Sequence, residues 1–165
     1  MLDLGCRYGA LTREYAEGNE VLGLDVDREA LAEAAKVGIE TRWADVEEPL
    51  DLPAESFDVV VAGELLEHMR APDELVAEAR RVLCPGGRIV LSVPNAFRLK
   101  NRLRFLAGRP PERDPTHLHL FTPAAVGELL REFDDVSLRY AVGRFVRLHG
   151  RLMANVIVAS ARKPG

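Results

Sequence analysis

Cysteine is scarce, with two residues in 165, and no apolar run approaches the roughly 18–20 residues of a membrane span. Cys6 and Cys84 lie in unrelated contexts without metal-type spacing. That excludes a disulfide framework and a cysteine-built metal site, and it reads as two reduced, small, buried side chains. No leader of charged, then apolar, then small residues precedes the first strand, so a cytoplasmic protein is expected. Excess positive charge is missing too: a formal net charge of −4 gives no global pull toward nucleic acid or anionic lipid. No repeat or low-complexity tract occurs. What is present, 47% hydrophobic and 29% charged residues, suits one globular domain over residues 1–165.

Apolar runs alternate with amphipathic segments along the first half of the chain. The opening, Met1-Leu2-Asp3-Leu4-Gly5-Cys6-Arg7-Tyr8-Gly9, reads as strand and tight turn, with a helix from Leu11 to Ala16. Glu20–Leu24 is a second strand ending at Asp25, and Asp27 can cap a helix from Arg28 to about Val37, stopped by Gly38. Ile39–Trp43 is a third strand. An acidic, proline-bearing loop, Glu47–Ser56, then stands where a full helix would sit. Phe57–Ala62 is a near-continuous apolar run, the pattern of a central strand covered on both faces. Gly63–Met69 forms a loop or one helical turn, Pro72 starts a helix to Leu83, and Pro85-Gly86-Gly87 turns the chain into a buried strand at Arg88–Val93. Repeated βα units of this kind predict a Rossmann-like, three-layer, doubly wound sheet, mostly parallel, with ligands held outside the carboxyl ends of the strands where strand order reverses.

Beyond Pro94 the pattern changes. A helix over Asn95–Leu106 carries Leu99, Leu103 and Leu106 on one face, and residues 94–116 hold six basic side chains (Arg98, Lys100, Arg102, Arg104, Arg109, Arg113) against two acidic ones. His117-Leu118-His119-Leu120-Phe121 alternates like a short strand, which would aim His117 and His119 to one side. Two histidines without a third ligand make a poor metal site, and none is expected. Thr122-Pro123 opens a capped helix to about Phe133. Val136–Val142 and Leu152–Ala161 can close the chain as an antiparallel hairpin across Gly143–Arg151.

These residues together carry a family resemblance. Leu2-Asp3-Leu4-Gly5-Cys6-x-x-Gly9, Gly23-Leu24-Asp25, Ala44-Asp45-Val46, Phe57-Asp58-Val59-Val60, Leu66-Glu67-His68 and Leu83-x-Pro85-Gly86-Gly87 through Asn95 resemble, in order, the class I S-adenosylmethionine-dependent methyltransferases. Ser92-Val93-Pro94-Asn95 with the basic helix is similar to MetW-type proteins. The Leu-Glu-His and His-Leu-x-Leu-Phe elements are similar to ubiquinone-biosynthesis O-methyltransferases. The resemblance implies S-adenosylmethionine as cofactor, with Gly5, Cys6, Arg7 and Gly9 wrapping its methionine part and Asp3 fixing the loop or receiving the ammonium. It further implies Asp25 and Val26 at the ribose, Asp45 and the Val46 amide at the adenine edge, and Gly63, Glu64 and Leu65 near the methyl group. Arg7 stands where the family usually has glycine; its side chain would swing to solvent or crowd the cofactor. Related proteins generally begin with helices that precede the first strand, so the chain is expected to be truncated or minimal, with residues 94–121 as its lid.

A dinucleotide-dependent dehydrogenase is the nearest rival, but the loop lacks the G-x-G-x-x-G that lets pyrophosphate touch the backbone. Methyl transfer to oxygen of a small molecule is the expected activity, with Glu67, His68, His117 and His119 as candidate bases or pocket-lining groups. A cofactor-binding protein acting through a protein partner is the alternative. The basic helix admits a solvated cover, an acidic acceptor or a lipid-like one, and RNA is disfavoured because the basic residues lack aromatic interleaving.

Overall fold

The computed structural model describes residues 1–111, 114–143, 147 and 149–165, so Arg113 of the basic stretch and part of the 143–151 connection lie outside the described residues. One seven-stranded sheet organises the chain. Its strands are β1 (Leu2–Leu4), β2 (Leu22–Asp25), β3 (Glu40–Trp43), β4 (Phe57–Gly63), β5 (Leu83–Pro94), β6 (Asp134–Ala141) and β7 (Val156–Arg162), in the order β3-β2-β1-β4-β5-β7-β6. The first five run parallel, and β7 lies antiparallel to both β5 and β6. Strand order reverses at β1, which pairs Leu2 with Leu22 on one side and Val60 on the other. The glycine loop after β1 therefore opens at the switch point, where ligands of such sheets bind.

Helices α1 (Arg13–Ala16), α2 (Arg28–Lys36), α3 (Pro72–Val82), α4 (Leu99–Leu106), α5 (Pro123–Leu129) and α6 (Gly150–Met153) surround the sheet. Two caps are as the sequence predicts. Asp27 accepts from the amides of Glu29 and Ala30, and Thr122 accepts from that of Ala125; each such cap stabilises its helix by about 0.5–2 kcal/mol. The main core lies on the sheet face bearing Leu2, Leu4, Leu24, Val60, Ile89 and Leu91, closed by Leu75, Val76, Ala79 and Val82 of α3 and by Val126 and Leu130. Each fully buried leucine or isoleucine there contributes about 1.5–3 kcal/mol.

Several expectations need correction. The opposite pleat is only partly covered: Val59, Val61, Val90, Val156 and Val158 line an apolar hollow of about 540 Å³ bordered by Leu11 and Tyr15. In the strand expected to be covered on both faces, Val61 is nonetheless buried at 7% exposure and Val59 is half-buried beside this hollow. Pro85-Gly86-Gly87 is no separate turn but belongs to β5, whose register jumps from Phe57↔Leu83 to Val59↔Arg88. Cys84 is half-buried rather than buried and donates to the Glu55 carbonyl; both cysteines are free. Helix α4 starts at Leu99, not Asn95, and its buried residue is Asn101, while Leu103, Phe105 and Leu106 are 57%, 74% and 81% exposed. Of the expected stripe, Leu99 is half-buried, while Leu103 and Leu106 face away from the described residues. His117–Phe121 is extended without strand pairing, because its Leu118 and His119 amides donate to the Glu67 carbonyl instead. The last strand begins at Val156, since residues 150–153 form α6; the carbonyls of Arg151 within it and of Ala154 just after it accept from the buried Asn95 side chain.

Candidate functional site

Loop geometry at the end of β1 is built by β2. The amides of Gly5 and Cys6 both donate to the Leu24 carbonyl, at 2.8 and 3.1 Å, so the chain folds back across the neighbouring strand. Gly9 has φ +71°, a left-handed angle that favours glycine, and a Cβ there would stand 2.5 Å from Ile39 Cδ1, so that side chain would have to shift. Arg7 sits at φ +46° in the left-handed region, where glycine is the unstrained choice. Its side chain points to solvent, the guanidinium 5.7 Å from the Tyr8 ring centroid, so of the two outcomes expected for it the structure takes the one that leaves the loop open. Cys6 packs against Gly23, and burial pushes its thiol up to about 12.

Two acids hold this loop. Asp3 is 4% exposed and accepts from the Thr12 and Tyr15 hydroxyls at 2.5 and 2.7 Å, tying the loop to the segment after it. Burial raises its carboxyl above the usual range. Asp25, at the end of β2, accepts from the Arg7 amide on Oδ2 and from the Asp27 amide on Oδ1, both at 2.9 Å. A carboxylate has about four acceptor positions, so two remain for a ligand's hydroxyls.

A cleft of about 340 Å³ runs along these strand ends, lined by Gly5, Asp25, Val26, Asp45, Val46, Leu65, His68, Met69 and Leu118. One acid per strand end, an exposed backbone at Gly5 and apolar walls at Leu65, Met69 and Leu118 suit a nucleoside carrying a charged tail, and the volume falls within the range of small-ligand sites. Donors and shape fit S-adenosylmethionine. Met69 and Leu118 were not among the sequence candidates. Leu118 is held at the cleft by bonds of its own and the His119 amide to the Glu67 carbonyl, which no local pattern signals.

A second pocket, about 290 Å³, adjoins the first. Glu64, Pro94, Asn95, Arg98, Asn101, Asp114 and His117 contribute to its walls. Glu64 has φ +50° and is held by Ser92, whose hydroxyl donates to Oε1 at 2.9 Å; burial raises this carboxyl. Arg98 donates from Nη1 to Asn155 Oδ1, which fixes the guanidinium beside the pocket. Gly63 ends β4 next to Glu64 and borders the apolar hollow rather than the cleft.

Between the two pockets lie Glu67, His68 and His117. Residues 66–68 form a single 3-10 turn after β4, which buries Glu67 and leaves His68 at the cleft. Glu67 is 1% exposed with neither carboxylate oxygen hydrogen-bonded, and burial pushes it up to about 7. The His68 and His117 rings meet edge to face at 4.8 Å, and His68 Nδ1 lies 3.3 Å from the Thr116 carbonyl oxygen. His119 goes elsewhere: its Nε2 is buried without a partner and its ring tilts against Phe121 at 5.9 Å. The two histidines expected to share one side are thereby separated, and a different trio, Glu67, His68 and His117, brings one ligand atom each to within 4.8 Å of one another.

Comparison with known proteins bears on the family and the fold. A model described as a methyltransferase domain matches residues 2–91. A curated ubiquinone biosynthesis O-methyltransferase of Hahella chejuensis is 36% identical over 102 residues, covering 58% of this chain and 43% of that protein. A protein of Mycolicibacterium smegmatis named "probable S-adenosylmethionine-dependent methyltransferase" is 36% identical over 172 aligned positions, covering 99% of this chain and 63% of that one. The chain thus spans between 43% and 63% of the length of these two relatives. In fold it is similar to a crystal structure of a SAM-dependent methyltransferase from Archaeoglobus fulgidus, with TM-score 0.80 at 20% identity over 98% of this chain and 85% of the other. By the match over residues 2–91, which runs from the switch-point loop into β5, the chain belongs to the methyltransferase-domain family.

Proposed function

We propose that this chain transfers a methyl group from S-adenosylmethionine to an oxygen atom of a small molecule. The observation that carries the reading is the junction of the two pockets: His68 lines the cleft, His117 lines the adjoining pocket, and their rings touch. When bound, the cofactor supplies a methyl group already activated on a sulfonium. The protein's task is then to align acceptor and methyl and to exclude water. Gly5, Cys6, Arg7 and Gly9 would cradle the methionine part, with Asp3 bracing the loop from below. Asp25 and Val26 would hold the ribose, and Asp45 with the Val46 amide the adenine edge. Glu64 and Leu65 would border the methyl group, with Gly63 behind them. His68 and His117 would take the proton of an acceptor hydroxyl, with the buried Glu67 behind them, and His119 would brace the segment.

Residues 94–121 would act as the lid over the acceptor. Its chemistry supports an acidic or lipid-like molecule: Arg98 borders the pocket, and the exposed Leu103, Phe105 and Leu106 alternate with Arg102 and Arg104. The names of the ubiquinone-type relatives support oxygen as the acceptor atom. Among the described residues no helix is long and apolar enough to cross a membrane, so a lipid-like acceptor would be met at a surface.

Calorimetry with S-adenosylmethionine and S-adenosylhomocysteine tests the first layer, and saturable binding of both is expected. Labelled methyl transfer to a panel of hydroxylated and carboxylated acceptors tests the second. Absence of cofactor binding overturns the reading outright, and exclusive labelling of nitrogen or carbon acceptors overturns the oxygen assignment.

A further inference from the structure

Resting on the S-adenosylmethionine reading of the cleft, we infer that Glu47 is the positioning residue for the cofactor's adenine. Through Arg70 it latches the loop bearing Asp45 and Val46 to the segment that leads from the 3-10 turn into α3.

Asp45 and Val46 follow the edge strand β3 on a stretch with no helix of its own, so no helical ladder fixes them. The Ala44 amide donates to the Asp25 carbonyl at 3.1 Å, which sets where the stretch leaves the sheet. The Glu47 amide then donates to Asp45 Oδ1 at 3.0 Å and the Glu48 amide to the Asp45 carbonyl at 3.2 Å. Those two bonds close a turn of the kind aspartate favours and set the direction of its carboxylate. A turn closed only on itself can still swing as a unit. Glu47 stops the swing: its Oε1 accepts from the Arg70 backbone amide at 2.7 Å, 23 residues further along the chain, and its Oε2 lies 3.1 Å from Arg70 Nε. The Arg70 side chain is 85% exposed against 23% for Glu47, so the ion pair alone would hold little. The amide bond carries the latch, because a carboxylate accepts strongly from a backbone donor that has no side-chain freedom to lose.

The latch stands in a partition. Asp45, Val46, Glu47, Met69 and Arg70 line both the cofactor cleft and a neighbouring cavity of about 280 Å³ that extends to Glu74 and Glu78. Glu47 belongs to one side of that partition and Arg70 to the other, and their contact closes it. With the contact made, the base meets a wall that holds it to Asp45 and Val46. Without it the cleft runs on into the second cavity and the base has room to slip.

A consequence for recognition follows from the turn. With Asp45 Oδ1 taken by the Glu47 amide, Oδ2 is left as an acceptor. An acceptor suits the exocyclic amine of adenine and not the carbonyl that replaces it in hypoxanthine. Glu47 thus acts on affinity and on the choice of base, at a distance from the methyl group.

The test titrates S-adenosylhomocysteine and S-inosylhomocysteine by calorimetry into the wild-type chain, Glu47→Ala and Glu47→Gln. Hydrogen exchange of the Arg70 amide is followed in the ligand-free proteins. In Glu47→Ala, S-adenosylhomocysteine should bind about tenfold more weakly and S-inosylhomocysteine should change by less than about threefold, so the preference for adenine shrinks. Glu47→Gln keeps an oxygen for the Arg70 amide and should restore most of that preference. The Arg70 amide should exchange faster in Glu47→Ala before any ligand is added. Circular dichroism melts establish that the variants are folded; where Glu47→Ala is not, Arg70→Glu takes its place, repelling Glu47 from an exposed position. Unchanged affinity for S-adenosylhomocysteine in the folded variant, or an equal loss for both ligands, overturns the positioning role while the cofactor reading stands. A wild-type chain that binds neither ligand overturns the cofactor reading itself and the positioning role with it.

Discussion

Arg7 carries an energetic cost that its side chain does not repay. A non-glycine residue in the left-handed region costs about 1–2 kcal/mol, part of which glycine returns as greater freedom in the unfolded chain. Arg7 sits there at φ +46° with its guanidinium in solvent. Arg7→Gly should therefore stabilise the protein by about 0.5–1 kcal/mol in urea unfolding, with no loss of cofactor affinity. Asp25 is the opposite case, since its carboxylate organises the loop through two amides and keeps acceptor positions for the ligand. Asp25→Ala should weaken S-adenosylmethionine binding by about 1.5–3 kcal/mol in calorimetry, the scale of hydrogen bonds to a charged group. An unchanged affinity would remove Asp25 from the site. The sequence marked Asp25 because it ends an apolar run after a glycine turn. It gave no hint that the Arg7 amide would reach back to it, because that bond spans 18 residues.

At the scale of elements, the segment after β3 is held without a helix of its own. Arg81 of α3 donates to the carbonyls of Leu52 at 2.9 Å and Leu50 at 3.0 Å, and it makes a two-pronged contact with Glu78. Glu78 accepts in turn from the Leu50 amide. A short acidic loop thereby keeps Leu50 in the core and Asp45 and Val46 at the cleft. Arg81→Ala should cost about 1–2 kcal/mol, a figure discounted because the side chain stays more than a third exposed. The bond to Arg81 holds the Glu78 carboxyl below the usual range. A folded value below the unfolded one gives stability that is present above the unfolded value and lost as pH falls through the folded one. Acid should thus weaken the wild-type chain below about pH 4.5, and the Arg81→Ala variant should show a shallower dependence of Tm on pH in that window. The short crossover was legible as an acidic, proline-bearing stretch. Its anchor was not, since an arginine three residues after a glutamate on a helix reads first as a surface pair.

For the whole molecule, cofactor binding and folding are linked. The cleft is assembled from the ends of β1, β2 and β4, the loop after β3 and the 117–118 segment, so a ligand seated there binds the folded chain alone. At about a hundredfold excess over its dissociation constant, S-adenosylmethionine should add about 2.7 kcal/mol, a rise in Tm of about 5–10 °C for a chain of this size. Differential scanning calorimetry checks it, and the Asp25→Ala variant should lose most of the shift.

The sequence by itself determined the alternation of β1 to β5 with α1 to α3, the capped α2 and α5, the glycine loop and the acids at the strand ends. All of these rest on local physics: periodicity, capping side chains and left-handed backbone angles act within a few residues. Tertiary structure alone decided that β7 enters between β5 and β6, that His117 meets His68 while His119 turns away, and that one pleat of the sheet borders an apolar hollow. It also decided that Glu67 is buried without partners beside two imidazoles. Those outcomes depend on hydrogen bonds and packing between residues some 50 or more positions apart, such as the Leu118 amide on the Glu67 carbonyl and the Asn95 side chain on Ala154. Closing contacts of that range costs chain entropy that only the assembled core repays, so the pattern of a short segment does not contain them.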